Sequence, residues 1–481
     1  MKPYDYVRER YTLPFDFYPF QVDAVNECAP LPRCGIYLEP GLGKTAVATA
    51  IALYRKIMGR GSVVVCLMPP LLVTQWGRWL SQIKGKDGSP LRVTRYQGSP
   101  AHRKTLPLAV DFLLMGVQIF KQDFGSVVKT RYGDELSISM DLGGSSYQVI
   151  LDEAHCIKDV GSAIYEYYKS FVQGVPHQLL TGTPLNKPED AYAYINLVTP
   201  GLYRNLNHFN TLHVTAEKYH KPCAYDNLDL IHTNLLVNSV RKTKEEVLID
   251  LPEAIITDVQ YDLDGKHYAL YRRLATDRLL LLKDDMKLDV TQVTALRHAL
   301  GQIVCQWHYF GQDEKLKSRI YTLIEGLLDE LGSKKLIIFS NYQRTNEEIV
   351  RRFKCPGIWG AVPPKLKLKN LARFLDDDKC RLIAMHPVAA GQGIDGCQHV
   401  CTDVLYAEPP ITPSHLTQSL SRVHRQGQTR SVTVRMAVAS GTLQRHDVNR
   451  LTKSELLINP LQGSKTYLTP EEVRYIIFGG E

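Results

Sequence analysis

Gly41-Leu42-Gly43-Lys44-Thr45 and Asp152-Glu153-Ala154-His155 are the strings of this 481-residue chain whose residue types most readily do chemistry. In the first, the glycines let the backbone curl so that its N–H groups face phosphate oxygens. Lys44 then neutralises the β/γ charge, and the Thr45 hydroxyl can ligate Mg²⁺. Leu38 stands where the strict phosphate-loop pattern has its first glycine. The second string ends the apolar run Tyr147-Gln148-Val149-Ile150-Leu151. At a strand's C-terminal edge, Asp152 can hold the metal and Glu153 can polarise an attacking water. Together they predict a site for a nucleoside triphosphate and Mg²⁺.

Such a site needs a strand before the loop and a helix after it. Gly35 to Leu38 reads as a buried strand, and Thr45 to Met58 as an Ala/Ile/Leu-rich helix. Further strands are expected at Val63 to Leu67, Phe112 to Met115, Tyr147 to Leu151 and Gln178 to Leu180, the rhythm of a parallel sheet flanked by helices. Gly125 to Gly144 is turn-rich and reads as an exposed loop or hairpin. From about Gly201 to Gly332 helical periodicity dominates, notably Tyr268 to Met286 and Thr291 to Trp307, with few convincing strands. Strand patterns return at Lys335 to Phe339, Arg381 to Ala384, Asp403 to Tyr406 and Val432 to Val434. The expected organisation is α/β: an N-terminal lobe over 1–200, a helical insertion over 201–332 and a C-terminal lobe over 333–481.

Composition is that of an ordinary globular protein, 44% apolar and 22% charged. Lys plus Arg number 58 against 50 Asp plus Glu, a net charge of +8. That excess is compatible with nucleic acid without demonstrating it. Ten cysteines are scattered singly; Cys397 and Cys401 approach zinc-ligand spacing but lack a second pair, so buried or free thiols are expected. The N-terminus has no apolar signal core and no run reaches membrane-spanning length, which predicts an intracellular, reducing setting, cytoplasmic or, in a eukaryote, nuclear.

A second basic string runs from Gln418 to Gln428. If helical, it presents Gln418, Arg422 and Arg425 on one face, able to stabilise charge on a transferring phosphoryl group. Four strings in order carry a family resemblance: Leu38-Glu39-Pro40-Gly41-Leu42-Gly43-Lys44-Thr45, Asp152-Glu153-Ala154-His155, Leu180-Thr181-Gly182-Thr183-Pro184-Leu185-Asn186 and Arg422-Val423-His424-Arg425-Gln426-Gly427-Gln428. The chain resembles the Swi/Snf-like branch of helicase superfamily two, the double-stranded-DNA translocases. Its wording is similar to the annealing-helicase subgroup and its bacterial and viral relatives.

The resemblance implies two RecA-like lobes, ATP with Mg²⁺, and DNA, duplex or branched rather than single-stranded, as partner. It implies that Gln21 reads adenine and that Gly41, Leu42, Gly43, Lys44, Thr45, Asp152 and Gln418 bind nucleotide. Lys44, Glu153, Arg422 and Arg425 would be catalytic. Thr181, Thr183, Gly393 and Asp395 would couple hydrolysis to the lobes. Pro70, in a motif expected to contact DNA backbone, and Ser340 and Asn341 are the nucleic-acid candidates. Trp76 reads as core packing, and Ser239 to Val247 resembles the family's Arg-Arg-Thr-Lys block. Asp395 stands where the family has asparagine, and His386-Pro387 where Ser-Thr is typical. The rival readings are a strand-separating DNA or RNA helicase and a non-catalytic nucleic-acid-binding module. The second would predict damage at Lys44, Glu153 or Arg425, and all three are intact. No membrane partner is expected, and no replication or repair partner can be named.

Overall fold

The computed structural model describes residues 1–130, 133–218, 221–248, 250–284, 290–307, 318–390, 395–449 and 451. The described residues divide into two compact units, the first within Met1–Ile249 and the second within Asp250–Glu455.

The first unit is built on seven strands: β1 (Arg33–Leu38), β2 (Val63–Met68), β3 (Val93–Tyr96), β4 (Phe112–Gly116), β5 (Tyr147–Asp152), β6 (His177–Leu180) and β7 (Ser239–Lys242). They pair in the order β7-β1-β6-β5-β2-β4-β3, all parallel. Side chains alternate across the pleat: Val63, Val65 and Leu67 enter one apolar cluster, and Val64, Cys66 and Met68 the other. Each face is therefore sealed by helices, as a parallel sheet requires, which explains the near-continuous apolar runs. Register aligns Leu180 with Ile36 and Asp152, and Lys242 with Leu38, so the C-terminal ends of these strands share one edge. Gly125–Thr130 and Gly133–Ile138 form an antiparallel hairpin outside this sheet, the hairpin alternative of the sequence reading.

The second unit repeats the plan with β8 (Ala254–Tyr261), β9 (Lys335–Phe339), β10 (Gly357–Ile358), β11 (Leu382–Met385), β12 (Cys401–Tyr406) and β13 (Val432–Ala439), ordered β8-β13-β12-β9-β11-β10 and again all parallel. Leu336 and Ile338 face one cluster, Ile337 and Phe339 the other. Both units are thus RecA-like α/β sheets.

The expectation of few strands between 201 and 332 is corrected. That segment contains a second hairpin, Val214–Lys218 with Lys221–Tyr225, and strands β7 and β8. Both β7 and β8 are edge strands, one in each sheet, and the unit boundary falls between them. Edge strands carry a weaker apolar signature than central ones, and β8 is largely exposed along its length, with Ile255 and Ile256 open to solvent. Helices Gly265–Asp284 and Val290–Cys305 appear where periodicity predicts them. No described helix is long and apolar enough to cross a membrane, and Cys28, Cys34, Cys66, Cys156, Cys305, Cys355, Cys380, Cys397 and Cys401 are free thiols, Cys397 and Cys401 both buried.

Candidate functional site

Because the sheet is parallel, three loops emerge on the same edge. The phosphate loop follows β1, Thr181-Gly182-Thr183 follows β6, and Glu153 follows β5, with β6 lying between the other two strands. Gly41 and Gly43 adopt φ of +96° and +80°, conformations that L side chains rarely take. A Cβ on Gly43 would also lie 2.4 Å from Gln21 Nε2. Gly182 is packed as tightly, since a Cβ there would meet the Pro40 ring at 2.6 Å. These glycines let three backbone segments converge.

Lys44 opens helix Lys44–Ile57, and the N-terminus of a helix favours an anion. Its Nζ donates to Leu38 O at 3.0 Å. Thr45 is half-buried in the same turn. Gln21 is buried, and its amide is engaged by protein: Nε2 donates to Leu42 O at 3.0 Å, and Oε1 accepts from the Tyr18 N–H at 3.0 Å. Here Gln21 braces the phosphate loop, a contact that the adenine-reading expectation did not include.

Asp152 is buried, accepting the Trp76 indole N–H at 2.8 Å and the Glu153 N–H at 2.9 Å. Burial first, then the neighbouring Glu153 charge, pushes its carboxyl up to about 6, while Trp76 and Lys44 pull it down. Trp76, expected as core packing, does pack in the core and also orients the candidate metal ligand. Glu153 has φ of +54°, a left-handed conformation for a non-glycine residue, which costs on the order of 1–3 kcal/mol. His155 Nδ1 lies 3.2 Å from its Oε2. This strain sets the acidic side chain at the strand end.

Asp152 also yields a stability prediction. Its folded pKa lies above its value in the unfolded chain, so the carboxyl favours folding below about pH 4, and that contribution is lost as pH rises through about 6. Asp152→Asn should therefore stabilise the protein in EDTA at pH 8 by about 1–3 kcal/mol and hardly change it at pH 4. Thermal unfolding at the two pH values checks this; equal shifts at both would refute it.

Thr181 and Thr183 are buried, and Thr181 Oγ1 accepts the Thr183 N–H at 3.2 Å. The Thr183 hydroxyl is buried with no hydrogen-bond partner among the described residues. Two residues outside the expected site hold the loops together. Arg241, on β7, donates to Tyr37 O at 2.8 Å and Gly182 O at 3.0 Å, and its guanidinium lies 3.6 Å from Glu39. Glu39 accepts the Lys244 N–H at 3.0 Å and donates its own N–H to Lys242 O. Their only sequence signal was position: Glu39 just ahead of the loop, and Arg241 inside the basic block. Pro70, at the start of helix Pro70–Leu80, is exposed on the same edge.

In the second unit the helix carrying Gln418 ends at Leu420, so the helical face expected over 418–428 is corrected. Arg422 and Arg425 lie in the turns that follow, held by Arg422 N–H to Ser419 O and Gln428 N–H to Arg425 O. Gly427, at φ of +91°, and the buried Gln428, which donates to Cys401 O and Val423 O, explain why this segment leaves the helix. Gln418 is half-buried on the helix, and its carbonyl accepts the Ser421 hydroxyl. Arg425 pairs with Asp395 at 3.1 Å. Asp395 Oδ1 also accepts the Gly396 N–H, while Gly393 lies outside the described residues.

Ser340 requires a correction. It is fully buried and donates to Glu408 Oε1 at 3.1 Å, so it positions the loop after β9 and presents nothing to a nucleic acid. Asn341 is likewise engaged, its N–H with Glu408 and its amide with Pro409 O. Burial pushes the Glu408 carboxyl up to about 7 against those hydrogen bonds.

The crowded glycines, the helix N-terminus and the acidic pair fit a triphosphate with Mg²⁺. The family model described as SNF2-related domain matches residues 33–308, more than half of the chain. The chain belongs to the SNF2-related family. It is 24% identical over 474 residues to the DNA annealing helicase and endonuclease ZRANB3 of Bos taurus, covering 94% of this chain and 41% of that protein. It is also 24% identical to an uncharacterized ATP-dependent helicase, YqhH, of Bacillus subtilis, covering 88% of this chain and 75% of that one. The chain thus spans about two fifths of the annealing-helicase relatives. The Sulfolobus solfataricus SWI2/SNF2 ATPase core in complex with dsDNA aligns over 97% of this chain and 98% of its own, with 20% identity and a TM-score of 0.41.

Proposed function

We propose that this SNF2-related chain is a DNA-dependent ATPase that translocates on duplex or branched DNA and remodels DNA or protein–DNA complexes. The observation that carries the reading is the convergence of the phosphate loop, Asp152–Glu153 and Thr181–Thr183 on one sheet edge. Backbone N–H groups of the loop and Lys44 bind the triphosphate, and Thr45 and Asp152 would hold Mg²⁺. The metal supplies neutralisation of phosphate charge. Glu153 orients water, Gln418 assists nucleotide binding, and Arg422 and Arg425 stabilise charge on the transferring phosphoryl group. Thr181, Thr183 and Asp395 couple hydrolysis to movement of the units. Pro70, at the exposed edge, and the half-buried Asn341 are the nucleic-acid candidates carried forward.

ATP turnover measured without polynucleotide and then with single-stranded, duplex and forked DNA and RNA tests the reading. Duplex and forked DNA should stimulate most, and indifference to every polynucleotide would refute it. Stimulation should weaken with salt, because each phosphate neutralised on a duplex contributes a log–log slope of about −0.9. Displacement of a third strand without duplex unwinding distinguishes translocation from strand separation.

A further inference from the structure

Lys158 and Asp190 stand outside the nucleotide site, yet they join two of the loops that build it. Glu153 leads into the 3₁₀ turn Ala154–Ile157, whose ends Ala154 and Ile157 are buried in the core, and Lys158 closes that turn. Asp190 ends a second short turn, Pro188–Asp190, which the chain reaches from β6 through Thr181–Asn186. Lys158 Nζ lies 3.5 Å from Asp190 Oδ2, and the two side chains are only 11% and 6% exposed. The same Oδ2 accepts the Asn186 N–H at 2.8 Å. One carboxylate oxygen thus holds both the segment after Glu153 and the end of the threonine loop.

Asp190 is also the N-cap of helix Ala191–Val198, where a carboxylate ordinarily accepts an N–H of the first turn. It makes no such bond here, and its Oδ2 turns back to Asn186 and Lys158 instead. Burial opposes both ions, pushing the Lys158 ammonium down and the Asp190 carboxyl up. Well-packed apolar side chains in the place of such a pair stabilise a fold as well or better, so stability alone does not account for it. The other charges bearing on the pair are Glu153, Lys187 and Glu189, of which Lys187 and Glu189 pair with each other at 2.7 Å. Strands β5 and β6 are neighbours in register, Asp152 beside Leu180, so the two loops leave the sheet side by side.

We propose that Lys158 and Asp190 are positioning residues for ATP hydrolysis, their buried ion pair fixing the Glu153 turn against the Thr181–Asn186 loop. Neither side chain touches nucleotide in this role. Glu153 sits at a strained, left-handed backbone position, and strain of that kind persists only where the surroundings hold it. Lys158 holds the turn from its far end, and Asp190 ties it to the loop carrying Thr181 and Thr183. The acid and the threonines then keep one spacing through the catalytic cycle, and a misplacement of about 1 Å costs about 10²-fold in rate. The inference rests on the ATPase reading and assigns two further residues to its site.

The test separates rate from stability in the full chain. Turnover with saturating duplex DNA is counted per nucleotide-binding site, titrated with a fluorescent ATP analogue, so that unfolded protein does not register as a slow enzyme. Lys158→Met leaves Asp190 buried without its cation and should lower both Tm and kcat. The double variant Lys158→Met with Asp190→Asn removes both charges and keeps an acceptor for the Asn186 N–H. It should recover the lost Tm while kcat stays about 10–10²-fold below wild type, with the KM for ATP unchanged, and it carries the test alone if the single variant does not fold. Lys158→Arg, which keeps the charge, should turn over faster than Lys158→Met. Recovery of kcat together with Tm in the double variant would show that the pair serves the fold alone and would overturn the proposal. Failure of the ATPase reading itself is distinct, because it appears as absent turnover in the wild-type chain.

Discussion

Arg425→Ala is expected to lower DNA-stimulated ATP turnover by about 10³–10⁵-fold, the range that arginine fingers contribute in phosphoryl transfer, while nucleotide affinity stays nearly unchanged. The reason lies in the side chain: a guanidinium is always charged, forked and able to contact two oxygens at once. In the structure its partner is Asp395, at 3.1 Å, on a side chain that is 70% exposed. The Arg425 side chain is itself only 21% exposed, but with its carboxylate partner largely in solvent the pair contributes little to stability, so it can be exchanged for phosphate at small cost. Asp395→Asn supplies the control, because it removes the ion pair, leaves the arginine, and puts at this coupling position the asparagine that the family resemblance implies is compatible with function. If Arg425 acts on phosphate, Asp395→Asn keeps most of the turnover; if Arg425 serves only to anchor Asp395, the two variants are equally impaired. Steady-state kinetics with saturating duplex DNA, beside fluorescent-nucleotide binding, separates these outcomes.

Glu153→Gln should reduce the single-turnover rate about 10²–10⁴-fold, the usual contribution of a positioned acid or base, with ATP and Mg²⁺ still bound. Glutamine preserves the length of the side chain and its place after β5, so the change isolates charge. Asp152 is the more sensitive neighbour. Removing the Glu153 charge relieves one of the two causes that push its carboxyl up, so Mg²⁺ affinity near pH 6 should hold or improve while hydrolysis is lost. A variant that hydrolyses at the wild-type rate would show that Glu153 does not activate water.

The elements that sequence reading located are those with strong local signals. Central strands such as Val63–Met68 are apolar on both faces, and helix Lys44–Ile57 follows a glycine loop that leaves its N-terminus open. What it missed depends on neighbours distant in sequence. Strand Ser239–Lys242 is recognisable only once Arg33–Leu38 is beside it. Trp76 looks like any core tryptophan until Asp152, far along the chain, supplies an acceptor. The arginine string had helical spacing, yet Gly427 and the inward-turned Gln428 set its backbone instead. Ser340 had the chemistry of a phosphate contact, but a buried glutamate claimed its hydroxyl.

The bracing of the phosphate loop by Glu39 and Arg241 bears on where this protein can be cut. A fragment ending near residue 200, the border that composition suggests, would discard the edge strand bearing Arg241 and leave the Glu39 carboxylate and the Tyr37 and Gly182 carbonyls without the donors that now satisfy them. A self-sufficient ATP-binding piece must carry its chain past Val247, so the economical seam for dissection, fusion or recombination lies near residue 249.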